Sequence, residues 1–272
     1  MPKISDKGRA MHPSPIRKLA PYADEAKRQG RKVYHLNIGQ PDIPTPEAAL
    51  NAIRKLELKV IEYSHSAGNE SYRRKLAGFY RNLGIEVDYT DILITTGGSE
   101  AISFALLACL DPGDEIITSE PLYANYNGFA VSTGVKIVPV TSTIANDFAL
   151  PPVEEIEKRI TPRTRGILVC NPNNPTGYLY SMEELSRLRA IVKKHNLYLF
   201  SDEAYREFCY EAEEHFSAMK LEGIEENVVM IDSVSKRYSE CGVRIGALVT
   251  RNRDVTETAL RIAQSRLSPP GL

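Results

Sequence analysis

The chain has 272 residues, with 34 basic and 35 acidic side chains and a formal net charge of −1 at pH 7. Its length suits one large domain, or one domain and a part of another, and the balanced charge argues against a nucleic-acid or membrane-surface role. The N-terminal segment lacks the apolar stretch of a signal peptide, and no window is apolar enough to span a membrane. We therefore expect a cytoplasmic protein with neither a nucleic-acid nor a membrane partner.

The 4 cysteines are widely spaced, form no Cys-x-x-Cys pair, and lie in or near apolar stretches. This pattern favours reduced thiols in the core over disulfides or zinc ligands. The 5 histidines are scattered and form no metal-binding motif with the cysteines. We expect no metal site.

Residues 1–45 are rich in proline and predict an arm around one helix rather than a separate domain. Residues 46–272 alternate between helical and strand-like patterns, and we predict one large domain there. Helical patterns occur in TPEAALNAIRKL, SYRRKLAGFYRNL, SEAISFALLACL and the segment after the capping-box residues Ser181 and Glu184.

Short apolar runs lie between and after the helical segments. They are DILITT, EIITSEP, KIVPV, RGILVCNP, LYLFSDE, NVVMIDS and RIGALVT. Short continuous apolar strands that alternate with helices are typical of a sheet covered on both faces. The sequence therefore predicts an α/β fold with a mostly parallel central sheet and helices on both of its faces.

The segments that follow five of these strands are polar. They read TTGGSE (95–100), SEPLY (119–123), CNPNNPTG (170–177), SDEAY (201–205) and DSVSK (232–236). Ligands of open α/β sheets bind at the carboxyl ends of the strands. The convergence of these polar segments at one edge is the main sequence evidence for a binding site.

Two of the segments predict an anion site. TTGGSE places glycines and Ser99 at a helix N-terminus, where free N–H groups favour phosphate, although such a corner is often only a turn. In DSVSKRYSECGVRIG, the hydroxyls of Ser233 and Ser235 flank Lys236, and Arg244 follows. An arginine between a corner and an apolar strand suits bidentate phosphate binding better than a solvated surface position.

Lys236 and Asp202 are the candidate reactive groups. Lys236 is either an ordinary exposed lysine or, at a strand exit, an amine that captures an aldehyde. Asp202 ends a strongly apolar strand, so that it either caps a following helix or pairs with a cation in the pocket.

The remaining candidates are an amide and two aromatic rings. The prolines around Asn174 restrict its backbone, so that its amide is held in place. Tyr205 follows Asp202 in the same turn, and Tyr123 offers a flat ring for stacking or for packing alone. An anion site, an amine, a carboxylate, a phenol, an amide and a ring together match the groups of pyridoxal phosphate.

The motifs NIGQPD, TTGGSEA, NPNNPTG, SDEAY and SVSKRYSECGVRIG occur in an order and spacing that covers nearly the whole chain. In these motifs the sequence resembles the class I aminotransferases, and most closely their aspartate aminotransferase-like branch. These are pyridoxal-phosphate enzymes of fold type I. The resemblance implies a homodimer and the transfer of an amino group between an amino acid, an aspartate-like donor being favoured, and a 2-oxo acid such as 2-oxoglutarate.

The resemblance also implies residue roles. Lys236 would bond to the aldehyde carbon of the cofactor, Asp202 would hold its pyridine nitrogen protonated, and Tyr123 would stack on its ring. Asn174 and Tyr205 would contact the phenolic oxygen, and Gly39 and Asn174 the substrate. Tyr63 would reach the phosphate of the partner subunit. The phosphate would bind to Gly98, Ser99, Glu100, Ser233, Ser235 and Arg244.

The sequence departs from the family pattern in two places. Val243 stands before Arg244, where many relatives have tryptophan, and the sequence ends at RLSPPGL. The resemblance implies a further C-terminal small domain, with an arginine for the substrate's α-carboxylate, that residues 46–272 would not include. Two alternatives remain: another fold type I activity, such as a C–S lyase or a decarboxylase, and a truncated cofactor-binding module without turnover.

Overall fold

A computed structural model of the protein describes residues 2–14, 16–210 and 214–270. The outermost residues of the predicted arm and domain, Met1 and Leu272, lie outside the described residues. The helices of the described ranges are α1 Asp6–Ala10, α2 Ala20–Arg28, α3 Glu47–Arg54, α4 Glu70–Asn82, α5 Gly97–Cys109, α6 Asn125–Thr133, α7 Val153–Glu157, α8 Met182–His195, α9 Val234–Arg237 and α10 Arg253–Ser265. The strands are β1 Ile92–Thr96, β2 Glu115–Glu120, β3 Lys136–Thr141, β4 Thr164–Cys170, β5 Tyr198–Asp202, β6 Val228–Ser233 and β7 Ile245–Val249.

The strands form one sheet in the order β1-β7-β6-β5-β4-β2-β3. β7 pairs antiparallel with both β1 and β6, and the other neighbours pair in parallel. This confirms the prediction of a mostly parallel sheet. The strands β4, β5 and β6 are direct neighbours, so that their carboxyl ends meet at one edge.

Helices cover both faces of the sheet, as predicted, and this explains why the strands are apolar throughout. In β5, Leu199 packs into a core with helices α4 and α8, whereas Phe200 packs on the other face with α5, α6 and α10. Successive strand side chains point to opposite faces. Each central strand therefore needs apolar residues at consecutive positions.

The arm contains two α-helices where the sequence predicted one. The additional helix, α1, has only five residues, which is too short to produce a periodic apolar pattern. The Ser5 side chain accepts a hydrogen bond from the backbone N–H of Gly8 and begins this helix. An ion pair between Arg9 and Asp6 links its first and last turns.

The capping box predicted before α8 is present, with Ser181 and Glu184 bonded to each other's backbone. In ranges 2–14, 16–210 and 214–270, every helix is too short or too polar to cross a lipid bilayer.

Candidate active site

A cleft of about 490 Å³ opens at the carboxyl ends of β4 and β5 and beside α9. The strand order brings these segments together although they are far apart in sequence. Its wall includes Lys236, Asn174 and Tyr205, and the arm contributes Gly39. The other residues that line it are Gln40, Pro41, Asp42, Ile43, Pro172, Asn173, Pro175, Gly177, Phe208 and Tyr210.

Lys236 lies in the four-residue helix α9, directly after β6, and is half-buried rather than an exposed loop lysine. Its Nζ donates a hydrogen bond to the Gly39 carbonyl oxygen and lies 3.9 Å from Cys241 Sγ. A methyl group added to Gly39 would lie 3.5 Å from Tyr205 Oη and 3.7 Å from Lys236 Nζ. The arm therefore approaches the amine and the phenol at ordinary contact distance.

The polar corner after β4 presents the amide of Asn174 to Tyr205. Asn174 Nδ2 donates to Tyr205 Oη over 3.3 Å. The neighbouring Asn173 holds the corner, because its side chain accepts bonds from the N–H and the hydroxyl of Thr176, at 3.3 Å and 3.0 Å. Burial, with the nearby Cys170 and Asp202, raises the pKa of Tyr205, so that its phenol stays protonated.

Asp202 is buried, with 7% of its surface exposed. Its Oδ2 accepts a hydrogen bond from Tyr126 Oη at 2.8 Å, and its Oδ1 accepts one from Ala204 N at 3.2 Å. Residues 204–207 form a turn and not a helix, so Asp202 does not cap a helix. Burial raises the pKa of this carboxyl from 3.8 to about 6, against the opposing effect of the Tyr126 hydroxyl.

The sequence analysis did not single out Tyr126. It lies in the first turn of α6, three residues after Tyr123, and the two rings meet edge to face with their centroids 5.3 Å apart. The second tyrosine of PLYANY, close after the end of β2, was the available signal. Tyr123 itself is half-buried and its hydroxyl accepts a bond from Asn125 Nδ2 at 2.7 Å.

The predicted phosphate-binding residues form a second cluster beside the cleft. Helix α5 begins at Gly97, and its N-cap residue Thr96 makes no side-chain cap, so that the first N–H groups remain available to an anion. The Ser233 and Ser235 hydroxyls are 2.8 Å apart. A methyl group added to Gly98 would lie 3.8 Å from Ser233 Cβ, which places the start of α5 against these hydroxyls.

Arg244 lies against the same corner but is exposed, contrary to the prediction that it is not a solvated charge. Its guanidinium donates to the Cys241 carbonyl at 2.8 Å and lies so close to Gly97 that a Cβ there would collide with it. Gly97 has φ = 74°, and any other residue would be strained there. Arg244 thus covers the N-terminus of α5 from the solvent side.

The side chain of Glu100 turns away from the predicted phosphate site. Its carboxylate accepts a bond from Thr96 N at 2.8 Å and lies 2.9 Å from Arg266 Nε. Only the backbone N–H of Glu100 is therefore suited to an anion at this helix end. Ser99, which precedes it, lies in the first turn of α5.

Tyr63 is 80% exposed and is not among the described residues that line the cleft. Its side chain thus lies at the surface of its own chain.

The amino-acid sequence is similar to those of known proteins over most of its length. Residues 31–272 match the family described as "Aminotransferase class I and II". The chain is 34% identical over 268 residues to an aspartate/prephenate aminotransferase of Thermus thermophilus, covering 98% of this chain and 69% of that protein. It belongs to the class I and II aminotransferases.

The chain is also similar to a second aminotransferase sequence and to a solved aminotransferase structure. It is 32% identical over 248 residues to an aromatic-amino-acid aminotransferase of Thermococcus litoralis, covering 90% of this chain and 62% of that protein. The structure of an aspartate aminotransferase from Thermus thermophilus with maleate matches it with a TM-score of 0.92 at 33% identity. That match covers 100% of this chain and 70% of the other. The chain therefore spans about two thirds of these relatives.

The comparisons confirm the predicted family and the fold type I architecture. Aminotransferases of this class are pyridoxal-phosphate-dependent transferases of amino groups. The residues present suit that cofactor. The buried Asp202 carboxylate makes no ion pair with any described residue and can receive a cationic ring nitrogen, while the start of α5 and two serine hydroxyls suit a phosphate.

Proposed function

We propose that this aminotransferase transfers an amino group from an amino acid, an aspartate-like donor being favoured, to a 2-oxo acid such as 2-oxoglutarate. The observation that carries the proposal is the convergence of Lys236, Asn174 and Tyr205 in one cleft, with Asp202 beside it at the end of β5. The names of the Thermus relatives support the aspartate-like donor.

When bound, pyridoxal phosphate supplies an aldehyde for covalent capture by an amine and a ring that accepts the electrons of the substrate's α-carbon. Lys236 Nζ is the amine that would hold the aldehyde carbon. Once the substrate's amine has replaced Lys236 at the aldehyde carbon, the same nitrogen would accept the proton from the substrate's α-carbon. It would then donate that proton to the former aldehyde carbon.

Asp202 and the Asn174–Tyr205 pair would hold the ring at its nitrogen and at its phenolic oxygen. The Asp202 carboxylate would accept the N–H of the ring nitrogen, and Tyr126 Oη fixes the carboxylate's orientation from behind. The Asn174 amide and the Tyr205 hydroxyl would donate hydrogen bonds to the phenolic oxygen. Tyr123 would stack on the face of the ring.

The phosphate would bind to the N–H groups of Gly98, Ser99 and Glu100, with the Ser233 and Ser235 hydroxyls and the Arg244 guanidinium around it. Gly39 and Asn174 would contact the carboxylate of the substrate. The position of Gly39 supports this role, since a Cβ there would lie 3.7 Å from Lys236 Nζ.

We further propose a homodimer in which Tyr63 contacts the phosphate bound by the partner subunit. Support comes from the segment around it, where Leu58, Val60, Ile61 and Tyr63 are between 53% and 80% exposed. A run of exposed apolar side chains of this kind marks an interaction surface. Residues 1–45 would serve as the arm of this assembly, and residues 46–272 as its cofactor-binding domain.

The cysteine thiols support the proposal of a cytoplasmic enzyme. Cys170 is buried at the end of β4, and Cys109 lies in α5, and neither forms a disulfide. Thiols persist in reducing compartments. Cell fractionation with a marker enzyme for each compartment tests this, and recovery outside the cytoplasm would contradict it.

Covalent labelling tests the cofactor assignment. Borohydride reduction of the protein loaded with pyridoxal phosphate, followed by peptide mapping, is expected to find the pyridoxyl group on Lys236. The Lys236→Ala variant is the control and is expected to carry none. Label on another lysine, or none on the wild type, would overturn the assignment.

A donor panel tests the substrate class. Initial rates of 2-oxoglutarate-dependent transamination with aspartate, phenylalanine and alanine are expected to rank aspartate first. A higher kcat/KM for either other donor would refute the aspartate preference and leave the cofactor assignment intact.

Mixed dimers test the shared site. Tyr63→Phe and Lys236→Ala subunits, each of low activity alone, are co-refolded. Half of the resulting dimers are expected to contain one complete site, which gives about a quarter of wild-type activity. Activity no higher than that of Tyr63→Phe alone would mean that Tyr63 does not serve the neighbouring site.

A further inference from the structure

Directly after Lys236, Arg237 makes a buried ion pair that lies outside the cleft. Its Nη2 donates to both carboxylate oxygens of Asp232, over 2.8 Å and 3.0 Å. Both side chains are almost fully buried, with 5% and 4% of their surfaces exposed. The two residues enclose the chain segment from the end of β6 to the last residue of α9, the segment that carries Lys236.

The Asp232 carboxylate is fixed from several directions. Its Oδ2 accepts the hydroxyl of Tyr80 from α4 at 2.7 Å, and its Oδ1 accepts the backbone N–H of Ser233 at 2.8 Å. A second cation, Arg206, lies 3.8 Å from Oδ1. The pair is therefore attached to the core beneath the sheet rather than to a mobile surface.

Arg237 also reaches the turn that carries Tyr205. Its Nε lies 2.7 Å from Glu207 Oε1, two residues beyond the phenol, and its guanidinium lies 4.8 Å from the centre of the Phe79 ring. One side chain thus links the end of β6, the turn after β5 and helix α4. The contact between Arg237, which follows Lys236, and Glu207, which lies two residues after Tyr205, fixes the two segments that carry the amine and the phenol relative to each other.

We propose that Asp232 and Arg237 are positioning residues that fix the Lys236 amine for its reaction with the cofactor's aldehyde. The inference rests on the proposed function of Lys236. A helix of four residues, such as α9, has too few internal hydrogen bonds to hold its own orientation. Its rigidity must come from tertiary contacts, and the buried Asp232–Arg237 pair, in which Arg237 Nη2 donates to both carboxylate oxygens, is the contact adjacent to the reactive residue.

The test compares two ligands that differ only at the reacting carbon. Pyridoxal phosphate needs the Lys236 amine for its covalent bond, whereas pyridoxamine phosphate has no aldehyde and binds through the ring and the phosphate alone. A residue that positions Lys236 affects the first ligand more than the second. A residue that only stabilises the fold affects both equally or neither.

The main variant is Arg237→Lys, which keeps the positive charge but lacks the planar fork of arginine. Relative to wild type, its affinity for pyridoxal phosphate is expected to fall about tenfold more than its affinity for pyridoxamine phosphate, or about 1.4 kcal/mol. Its kcat is expected to fall about a hundredfold with little change in KM, as for a displacement of about 1 Å.

Two further variants separate positioning from folding. The double variant Asp232→Asn/Arg237→Gln removes both charges of the buried pair together, while Arg206 keeps Glu203 as its counterion and Glu207 is partly exposed, and it serves if Arg237→Lys fails to fold. It is expected to show the same preferential loss of pyridoxal phosphate. Glu115→Gln is the matched control, because Glu115 is 2% exposed and paired with Arg163 at the opposite end of the sheet. It is expected to lower Tm without distinguishing the ligands.

The outcomes are distinct. Equal loss of both ligands in the Arg237 variants, or no loss of either, would overturn the inference while the proposed function stands. A wild-type protein that binds neither ligand would remove the proposed function, and the inference with it. Preferential loss in Glu115→Gln as well would also overturn it, since the effect would then follow from stability alone.

Discussion

Two carboxylates at the ends of neighbouring strands have opposite electrostatic surroundings. Asp202 ends β5 and Asp232 lies next to the end of β6, and they are 7% and 3% exposed. Burial raises the pKa of Asp202 to about 6. Burial acts in the same direction on Asp232, but Arg206 and Arg237 outweigh it and hold its pKa below the usual value.

The opposite pKa shifts indicate different roles for the two carboxylates. Burying an ionised carboxylate without a cation is costly, and a protein accepts this cost mainly where a ligand later supplies the charge. Under the proposed function, Asp202 is such a group, and the ring nitrogen of the cofactor would supply the charge. Asp232 has its cations within the chain and belongs to the support of Lys236. The variants below test whether the two carboxylates respond with opposite signs.

The largest effect is expected for the stability of Asp232→Asn. This change removes the carboxylate that lies between two buried cations, Arg206 and Arg237, and leaves Arg237 with only the partly exposed Glu207, which costs about 3–5 kcal/mol of unfolding free energy at pH 7. Because the folded-state pKa of Asp232 is lowered, its contribution is present above its unfolded pKa and is lost as the pH falls through the folded value. Urea unfolding at pH 7 and at a series of pH values below 3.8 measures both, and an unchanged stability at pH 7 would contradict the assignment.

Asp202→Asn is expected to reduce kcat about 10²- to 10³-fold, or about 2.7–4 kcal/mol in the barrier, while cofactor binding is largely kept. An amide cannot stabilise the charge of a protonated ring nitrogen, whereas the phosphate contacts remain. Single-turnover kinetics and a cofactor titration measure the two effects. Turnover equal to that of the wild type would contradict the proposed role of Asp202 at the ring nitrogen.

The same variant is expected to stabilise the cofactor-free protein at pH 7 by about 2–3 kcal/mol. The folded pKa of Asp202 is raised from 3.8 to about 6, so the folded state binds more protons between these values. Unfolding free energy contributed by this group therefore falls as the pH rises from about 4 to about 6. Thermal unfolding of wild type and variant should diverge over that window, and parallel curves would refute the shift.

Tyr126→Phe should have the smallest effect. The lost hydroxyl donates a hydrogen bond that favours the ionised form of Asp202, so its removal raises the carboxyl's pKa further. We expect kcat to fall about tenfold and the stability curve of the cofactor-free protein to shift to higher pH, at a cost of about 1.5 kcal/mol. Tyr123→Phe, which keeps the ring but removes a hydroxyl bonded to Asn125, is the control for loss of a phenol.

The fold class and most of the polar segments that follow the strands could be predicted from the sequence alone, because both depend on local patterns. Consecutive apolar residues predict strands that are buried on both faces, and the polar segments after them mark the carboxyl edge. Lys236, Asn174, Asp202 and Tyr205 could be identified because each ends such a strand or lies within four residues of its end. Their chemical types then limited the ligand.

The hydrogen-bond and ion-pair partners of the polar groups could be identified only from the tertiary structure. Asp202 and Asp232 read alike in sequence, since both end apolar runs, and their partners Tyr126 and Tyr80 are 76 and 152 positions away. The same holds for Glu100, whose carboxylate pairs with Arg266, the residue that follows α10. Hydrogen bonds and ion pairs depend on distances of a few ångströms, and these are set by how strands and helices pack rather than by spacing along the chain.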